Sequence, residues 1–324
     1  MAAAPRGLPE LAARLRATDA LRVQLDEPLS RHTRFGIGGP ASVLARASTP
    51  AALAAAFRSA RATGVATCLL GEGSNVVVAD QGFAGLVLRY VGDRLAVQDG
   101  TIEAEAGASL QSLVDLTIER GLAGMHTMTR IPGSVGGAIY GNAGAYGHQI
   151  DEFVERVDFL DRGEVRSFGL RECRFEYRES AFKRGRHLWI LGAKLRLPDG
   201  DPVRLRRRAA EIRAIRDAKF PPDMRCAGSI FKNLYLRALP AAAASVVPAR
   251  AVREGKVASA YFLERVGAKG MRCGGIRVAH YHANLLYNCG GGTADQIRRI
   301  VEDLKGRVLD RFGFELEEEV QYVG

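Results

Sequence analysis

Between Ile131 and Gly147 the chain reads IPGSVGGAIYGNAGAYG, seventeen residues with six glycines, a proline near the start and no charged side chain. A flexible linker would be more polar, so the segment is better read as backbone wrapped tightly on a ligand or against a sheet. A second glycine-rich stretch lies upstream, Gly71-Glu72-Gly73-Ser74-Asn75, between the apolar runs Val65–Leu70 and Val76–Val78. Glycine tolerates positive φ and lets the chain approach a ligand closely, so several backbone N–H groups can share one concavity that suits a diphosphate. The same five residues also spell a tight hairpin. No helical pattern follows them, which disfavours a dinucleotide site of the Rossmann type.

At 324 residues the chain is longer than one hydrophobic core usually serves, and two or three sub-domains are expected. Leu53, Phe57 and Ala60 recur at helical spacing, and Gly64 supplies the stop, so the alanine-rich stretch from 51 to 64 reads as a helix. Between Leu86 and Leu197 alternating or continuously apolar runs are broken by one helix near Leu110 to Arg120, which gives an α+β chain with much sheet. Pro198-Asp-Gly-Asp-Pro202 has the composition of a linker, after which a second domain should begin at 203. The closing helix, Thr293 to Phe312, opens with a Thr-x-x-Gln capping box and aligns Ile297, Ile300, Val301, Leu304 and Val308.

Composition narrows the function classes. No apolar run approaches the roughly 20 residues a spanning helix needs, so no membrane insertion is expected. Residues 1 to 28 carry scattered arginines without a compact apolar segment and cleavage site, and read as a short amphipathic helix or a loose extension of a cytoplasmic protein. The five cysteines lie far apart with no CxxC, against a zinc site or a disulfide framework. The net charge of +10 suits diphosphate ligands as well as polyanions. Its densest run, Arg204 to Arg208 with Arg213, Arg216 and Lys219, fits a solvated helix face or an attractor of a sugar-nucleotide diphosphate. It lacks the aromatic interleaving that nucleic-acid binding would need.

Three further blocks carry chemistry: Tyr177-Arg178-Glu179-Ser180, Gly228-Ser229-Ile230-Phe231-Lys232-Asn233, and Leu316-Glu317-Glu318-Glu319-Val320. They offer a permanent cation, a hydroxyl and a carboxylate. An arginine can hold a carboxylate bidentately, and a serine can serve as an acid toward a carbanion-like carbon when nearby cations such as Lys219 and Lys232 stabilise its alkoxide. Gly228-Ser229 also fits an ordinary turn or helix cap, and Arg178 with Glu179 a surface pair worth under about 1 kcal/mol. By period-two alternation a strand over 314–320 would put Phe314, Leu316 and Val320 on one face and Glu315, Glu317 and Glu319 on the other. Three acids in succession on a basic chain most often form a solvated edge, and Glu317 and Glu318 are read so.

From about Arg31 to Gly324 these blocks and both glycine loops resemble, in order, the UDP-N-acetylenolpyruvoylglucosamine reductase family. The resemblance implies an FAD-binding domain of the vanillyl-alcohol-oxidase (PCMH) type over 28–198, in sub-domains of about 28–90 and 91–198. A substrate-binding α+β domain over 203–324 follows it, and an extension over 1–27 precedes it. It implies non-covalent FAD, NADPH and a UDP-sugar as small-molecule partners, a monomer, and a place in peptidoglycan precursor synthesis. The entry motif Arg31-His-Thr-Arg-Phe-Gly-Ile-Gly-Gly-Pro40 brings Arg34 to the cofactor. Gly71, Glu72, Gly73, Ser74 and Asn75 would cradle the diphosphate, and Ile131, Pro132, Gly133, Ser134, Gly136, Gly137, Asn142, Gly144, Ala145 and Tyr146 would lie along the flavin. Arg178, Ser229 and Glu319 correspond to the catalytic residues, and Lys219, Asn233 and His282 to substrate-facing ones; no metal is implied.

Three features set this chain apart within that pattern. His126 stands where the family has Glu, and Leu234 where Pro is usual. The short interval from Arg178 to Ser229 resembles the form without the substrate-covering tyrosine loop. The sequence leaves open a second flavoenzyme class that oxidises alcohols or sugars, whose members commonly tether the flavin through His or Cys, residues absent from both glycine loops.

Overall fold

The computed structural model describes residues 7–324, which divide into two compact units. The first comprises the described residues up to Glu27, Ala41–Gly73 and Phe83–Pro221; the second comprises Pro28–Pro40, Ser74–Gly82 and Pro222–Gly324. Each has its own continuous hydrophobic core.

The first unit opens with the helix Leu8–Arg16, whose Leu8, Leu11, Ala12 and Leu15 form one buried stripe. The strand Leu21–Pro28 follows, so over the described residues the N-terminus takes the helical alternative and then joins a sheet. The sequence expectation over residues 1–6 lies outside the described residues. That sheet has four strands in the order Leu21–Pro28, Pro40–Ala47, Phe83–Tyr90, Thr67–Leu69. The last three run parallel, and parallel neighbours require a crossover. The helix Pro50–Thr63 supplies it, started by Thr49 Oγ1 accepting from Ala52 N at 3.1 Å and stopped at Gly64 with φ 66°. The second sheet of this unit has five strands in the order Glu164–Gly169, Val154–Asp161, Leu188–Arg196, Thr101–Glu105, Leu95–Gln98, all antiparallel.

The helix Pro202–Lys219 closes the first unit. Asp201 caps it through Val203 N at 2.9 Å, and Leu205, Ala209 and Ile212 turn inward while Arg204, Arg207, Arg208 and Arg213 stay exposed. Leu205 and Ala209 join the first core. The compact units therefore part at Pro221/Pro222, not at the linker-like 198–202, and Pro202 serves as a helix start.

The second unit also gathers two upstream segments. Val76–Val78 pairs in parallel with Gln321–Val323 at the end of the chain, and Gly39 N donates to Ala79 O at 2.9 Å. A Cβ on Gly39 would stand 2.2 Å from Asp80 O, so only glycine allows this approach. Ile276–Ala279 and His282–Asn288 form a hairpin with Arg272–Cys273 at its edge. The helix Ala294–Phe312 buries Ile297, Ile300, Val301, Leu304 and Val308. Residues 314–320 do not form the expected strand. They carry a single bridge at Glu318, and the strand begins only at Gln321.

Candidate active site

In the first unit the two glycine stretches meet at one hydroxyl. A Cβ on Gly71 would stand 3.2 Å from Ser134 Oγ and one on Gly137 3.5 Å from the same atom, while both glycines are exposed. Beyond its own neighbouring backbone, a Cβ at either position would meet no other atom within 4 Å, and Ser134 is itself buried. Gly73 and Gly133 add positive φ of 62° and 119°, conformations other residues seldom adopt. Residues 131–147 are not one continuous loop. Ser134 Oγ accepts from Gly137 N at 3.2 Å and caps a short helix, Val135–Tyr140, in which Gly136 packs on Ala106. Gly144–Ala145 then pairs with His148–Gln149, and Pro132 and Tyr146 lie exposed. Small, exposed backbone around a hydroxyl fits a large planar cofactor with an anionic tail. Glu72 is also exposed, and its carboxylate acts on Arg89, which faces Arg46 across two parallel strands. Burial and the neighbouring Arg46 lower the pKa of Arg89 while Glu72 opposes them.

Arg178 sits at the tip of a two-residue turn on the same unit. Glu176 and Glu179 exchange backbone hydrogen bonds of 3.1 Å in both directions, leaving Tyr177 and Arg178 between them. Arg178 has φ 60°, a conformation that costs a non-glycine residue roughly 1–2 kcal/mol. The surroundings impose it: Lys183 Nζ donates to Arg178 O at 2.8 Å and to Glu179 Oε1 at 2.8 Å, and Ser180 Oγ donates to Tyr140 O at 2.8 Å. The guanidinium donates to Gly144 O at 3.2 Å and Asn142 O at 3.4 Å. Arg178 is thereby tied to the glycine segment through two backbone carbonyls. Asn142 and Tyr146 are also held at positive φ, 41° and 54°. Such strain persists only where the surroundings over-determine it, as at many functional sites. The Asn142 side chain is fully buried, with Nδ2 donating to Glu176 O at 3.0 Å and Asp151 Oδ2 at 3.1 Å. Its backbone is engaged as well, with N donating to Ile139 O at 3.2 Å and O accepting from the Arg178 guanidinium. The side-chain amide secures the turn that carries Arg178.

The second unit brings Ser229 and Glu319 onto paired segments. Ser229 bridges Leu285, and Ile230 N donates to Asn284 O at 3.2 Å, so this stretch lies along the strand His282–Asn288. On its other side Glu319 N donates to Ile230 O at 2.7 Å and Lys232 N to Glu317 O at 2.9 Å. Ser229 is therefore part of a three-segment ladder rather than a helix cap. Gly228, with φ 75° and open space where its Cβ would be, starts the ladder by conformation alone. Asn75 Nδ2 donates to Glu319 O at 3.0 Å, which ties this member of the upstream loop to the last catalytic candidate.

Glu317 and Glu318 are more than a solvated edge. The buried Lys232 ammonium pairs with Glu317, and Glu318 accepts from Tyr322 OH at 2.5 Å and Lys305 Nζ at 3.4 Å. These partners are thirteen or more residues away or beyond the expected strand, so alternation alone did not reveal them. Arg34 and Ser74 are half-buried members of the second unit, Asn233 is exposed, and His282 is half-buried with Nδ1 accepting from Asn284 N at 3.2 Å. Lys219 ends the helix of the first unit, where burial, helped by Arg216, lowers its pKa. His126 Nδ1 accepts from Gly124 N at 3.2 Å, a local turn bond, and burial lowers its pKa. Among the described residues no His, Cys, Asp or Glu group could hold a metal ion, and no helix is long and apolar enough to cross a membrane.

Comparison with known proteins defines the class. Residues 41–169 match the family described as FAD binding domain, and residues 220–323 match the C-terminal domain of UDP-N-acetylenolpyruvoylglucosamine reductase. The chain is thus an FAD-dependent oxidoreductase of α+β architecture. The reductase of Solibacter usitatus is 52% identical over 96% of this chain and 100% of its own, and that of Rubrobacter xylanophilus 39% identical over 93% and 95%. A crystal structure of the enzyme from Thermus caldophilus is similar with a TM-score of 0.73 at 27% identity, covering 94% of this chain and 99% of that one. The chain belongs to the UDP-N-acetylenolpyruvoylglucosamine reductase family.

Proposed function

We propose that this enzyme reduces the enolpyruvyl ether of UDP-N-acetylglucosamine to UDP-N-acetylmuramate with NADPH as reductant, in the cytoplasmic phase of peptidoglycan precursor synthesis. Bound FAD would relay a hydride from NADPH to the enolpyruvyl C3. Negative charge then develops on C2 and its carboxylate. Arg178 meets that charge with a fork already oriented by Gly144 O and Asn142 O. Ser229 delivers the proton to C2, so one hydride and one proton together saturate the double bond and NADPH leaves as NADP⁺. Glu319, on the segment paired with Ile230, assists in its acid form as a hydrogen-bond donor to the intermediate. Lys219, Asn233 and His282 contact the sugar nucleotide; Arg34 and the residues of the two glycine segments hold FAD non-covalently.

The observation that carries this reading is the pairing of the Ser229 segment with the Glu319 segment in a chain matched to a family reductase over 96% of its length. The test is the visible spectrum of the purified protein. A flavin spectrum that bleaches with NADPH and recovers, without oxygen, on adding the enolpyruvyl sugar nucleotide is expected. Recovery with oxygen or a sugar alone, and none with the nucleotide, would overturn it.

A further inference from the structure

Asn284 lies fully inside the second unit, 2% exposed, in the strand His282–Asn288. Its amide is completely engaged. Oδ1 accepts from Phe231 N at 2.9 Å, while Nδ2 donates to Phe231 O at 2.8 Å and to Ser259 Oγ at 2.7 Å. Exchanging oxygen and nitrogen would set an NH2 against an N–H and an oxygen against a carbonyl, so the orientation has one solution. Ser259, also buried, adds a hydrogen bond of 3.3 Å from Oγ to Phe231 O.

The amide thus behaves as an extra peptide group in the ladder. Backbone pairing with the strand His282–Asn288 ends with the Ser229–Leu285 bridge and the bond from Ile230 N to Asn284 O, while on the other side the bonds to Glu319 and Glu317 carry it on to Lys232. Beyond the Ile230 bond, both polar groups of Phe231 are taken by one side chain. The register of this short segment matters because a slip of one residue turns every side chain to the opposite face. Two bonds to Phe231, two residues from Ser229, add to the backbone bonds of Ile230 and Lys232 in holding that register. We infer that Asn284 is a positioning residue for the Ser229 hydroxyl, acting through Phe231 and held by Ser259. This rests on the assignment of Ser229 as the proton donor.

The experiment follows the two half-reactions of the holoenzyme by stopped flow. Asn284→Ala should keep its flavin and be reduced by NADPH at the wild-type rate, yet be re-oxidised by the enolpyruvyl sugar nucleotide on the order of 10²-fold more slowly, as expected for a misplaced reacting group. In a Ser229→Ala background the same change should cost nothing further, since it acts through the missing hydroxyl. Wild-type re-oxidation of Asn284→Ala, or a full additional loss in the double variant, overturns the inference while leaving the Ser229 assignment standing. A Ser229→Ala enzyme that re-oxidises at the wild-type rate sinks that assignment instead. Should Asn284→Ala not yield yellow protein, Ser259→Ala loosens the amide without cutting the ladder. A loss of about tenfold confined to re-oxidation is then expected, and an unchanged rate refutes the proposal.

Discussion

Single side chains in this enzyme are divided between holding and reacting, and neighbouring residues of one type fall on different sides of that line. Glu317 is mostly exposed but is the partner of a lysine only 7% exposed in its side chain. Removing its charge would leave Lys232 buried without that carboxylate. Glu317→Gln should therefore lower stability by about 1–2 kcal/mol in urea unfolding and leave the half-reactions intact. Glu319→Gln should do the reverse, slowing flavin re-oxidation with little change in midpoint. Equal effects on both measurements would show that the two acids share one structural role. Arg178→Lys keeps the charge but has one nitrogen where Asn142 O and Gly144 O are now met by two. Re-oxidation should fall by roughly 10²-fold with NADPH reduction unchanged, well beyond the 1 kcal/mol or so of a surface ion pair. A rate near wild type would return Arg178 to a purely structural role.

At the level of elements, what the sequence revealed was what local rules govern. The closing helix has its written start, with Thr293 Oγ1 accepting from Gln296 N at 3.2 Å and Gln296 Oε1 from Thr293 N at 3.3 Å. Its stop is Gly313 in the left-handed region. A second cap came from 214 residues upstream and left no local trace: Asp80 accepts from Ala294 N at 2.8 Å and Asp295 N at 3.0 Å. Both bonds place a carboxylate at the positive end of the helix. Thr293→Ala should cost about 1 kcal/mol and Asp80→Ala a similar amount or more, each read as a lowered unfolding midpoint. An unchanged midpoint for Asp80→Ala would show that Thr293 suffices. The same contrast explains the errors. Val76–Val78 was legible as an apolar run, but its pairing with Gln321–Val323 was not, because parallel partners need share no turn. The alternation over 314–320 was real, yet Leu316 and Val320 are buried without a regular ladder there. Arg178, Ser229 and Glu319 are singled out by motif alone. Asn142 and Asn284 lie in matched segments too, as a flavin-segment residue and beside His282, but the motif did not reveal the hydrogen bonds by which their buried amides hold the Glu176 turn and Phe231.

On the scale of the whole molecule, global stability should depend on pH through groups that folding keeps neutral. Burial pushes the Cys173 thiol up to about 12 from an ordinary value near 9, with Glu172 adding to the shift, and burial likewise raises Cys68 against the opposing pull of Arg186. Tyr90 and Tyr322 are raised too, by burial first and then by Glu105 and Glu318 respectively. All four keep their protons in the folded chain over a range where the unfolded chain releases them. The folded state then binds more protons, and linkage requires stability to fall as pH rises. For Cys173 the contribution is fully present below about pH 9 and is lost progressively between there and about pH 12. The unfolding midpoint should decline steeply across that window. Cys173→Ala removes one titrating group, so its midpoint should start lower at pH 8, from the cavity left at a fully buried site, but fall less steeply toward pH 11. Parallel slopes for the two proteins would mean that Cys173 titrates in the folded chain as it does in the unfolded one, and that burial at this position does not hold the proton.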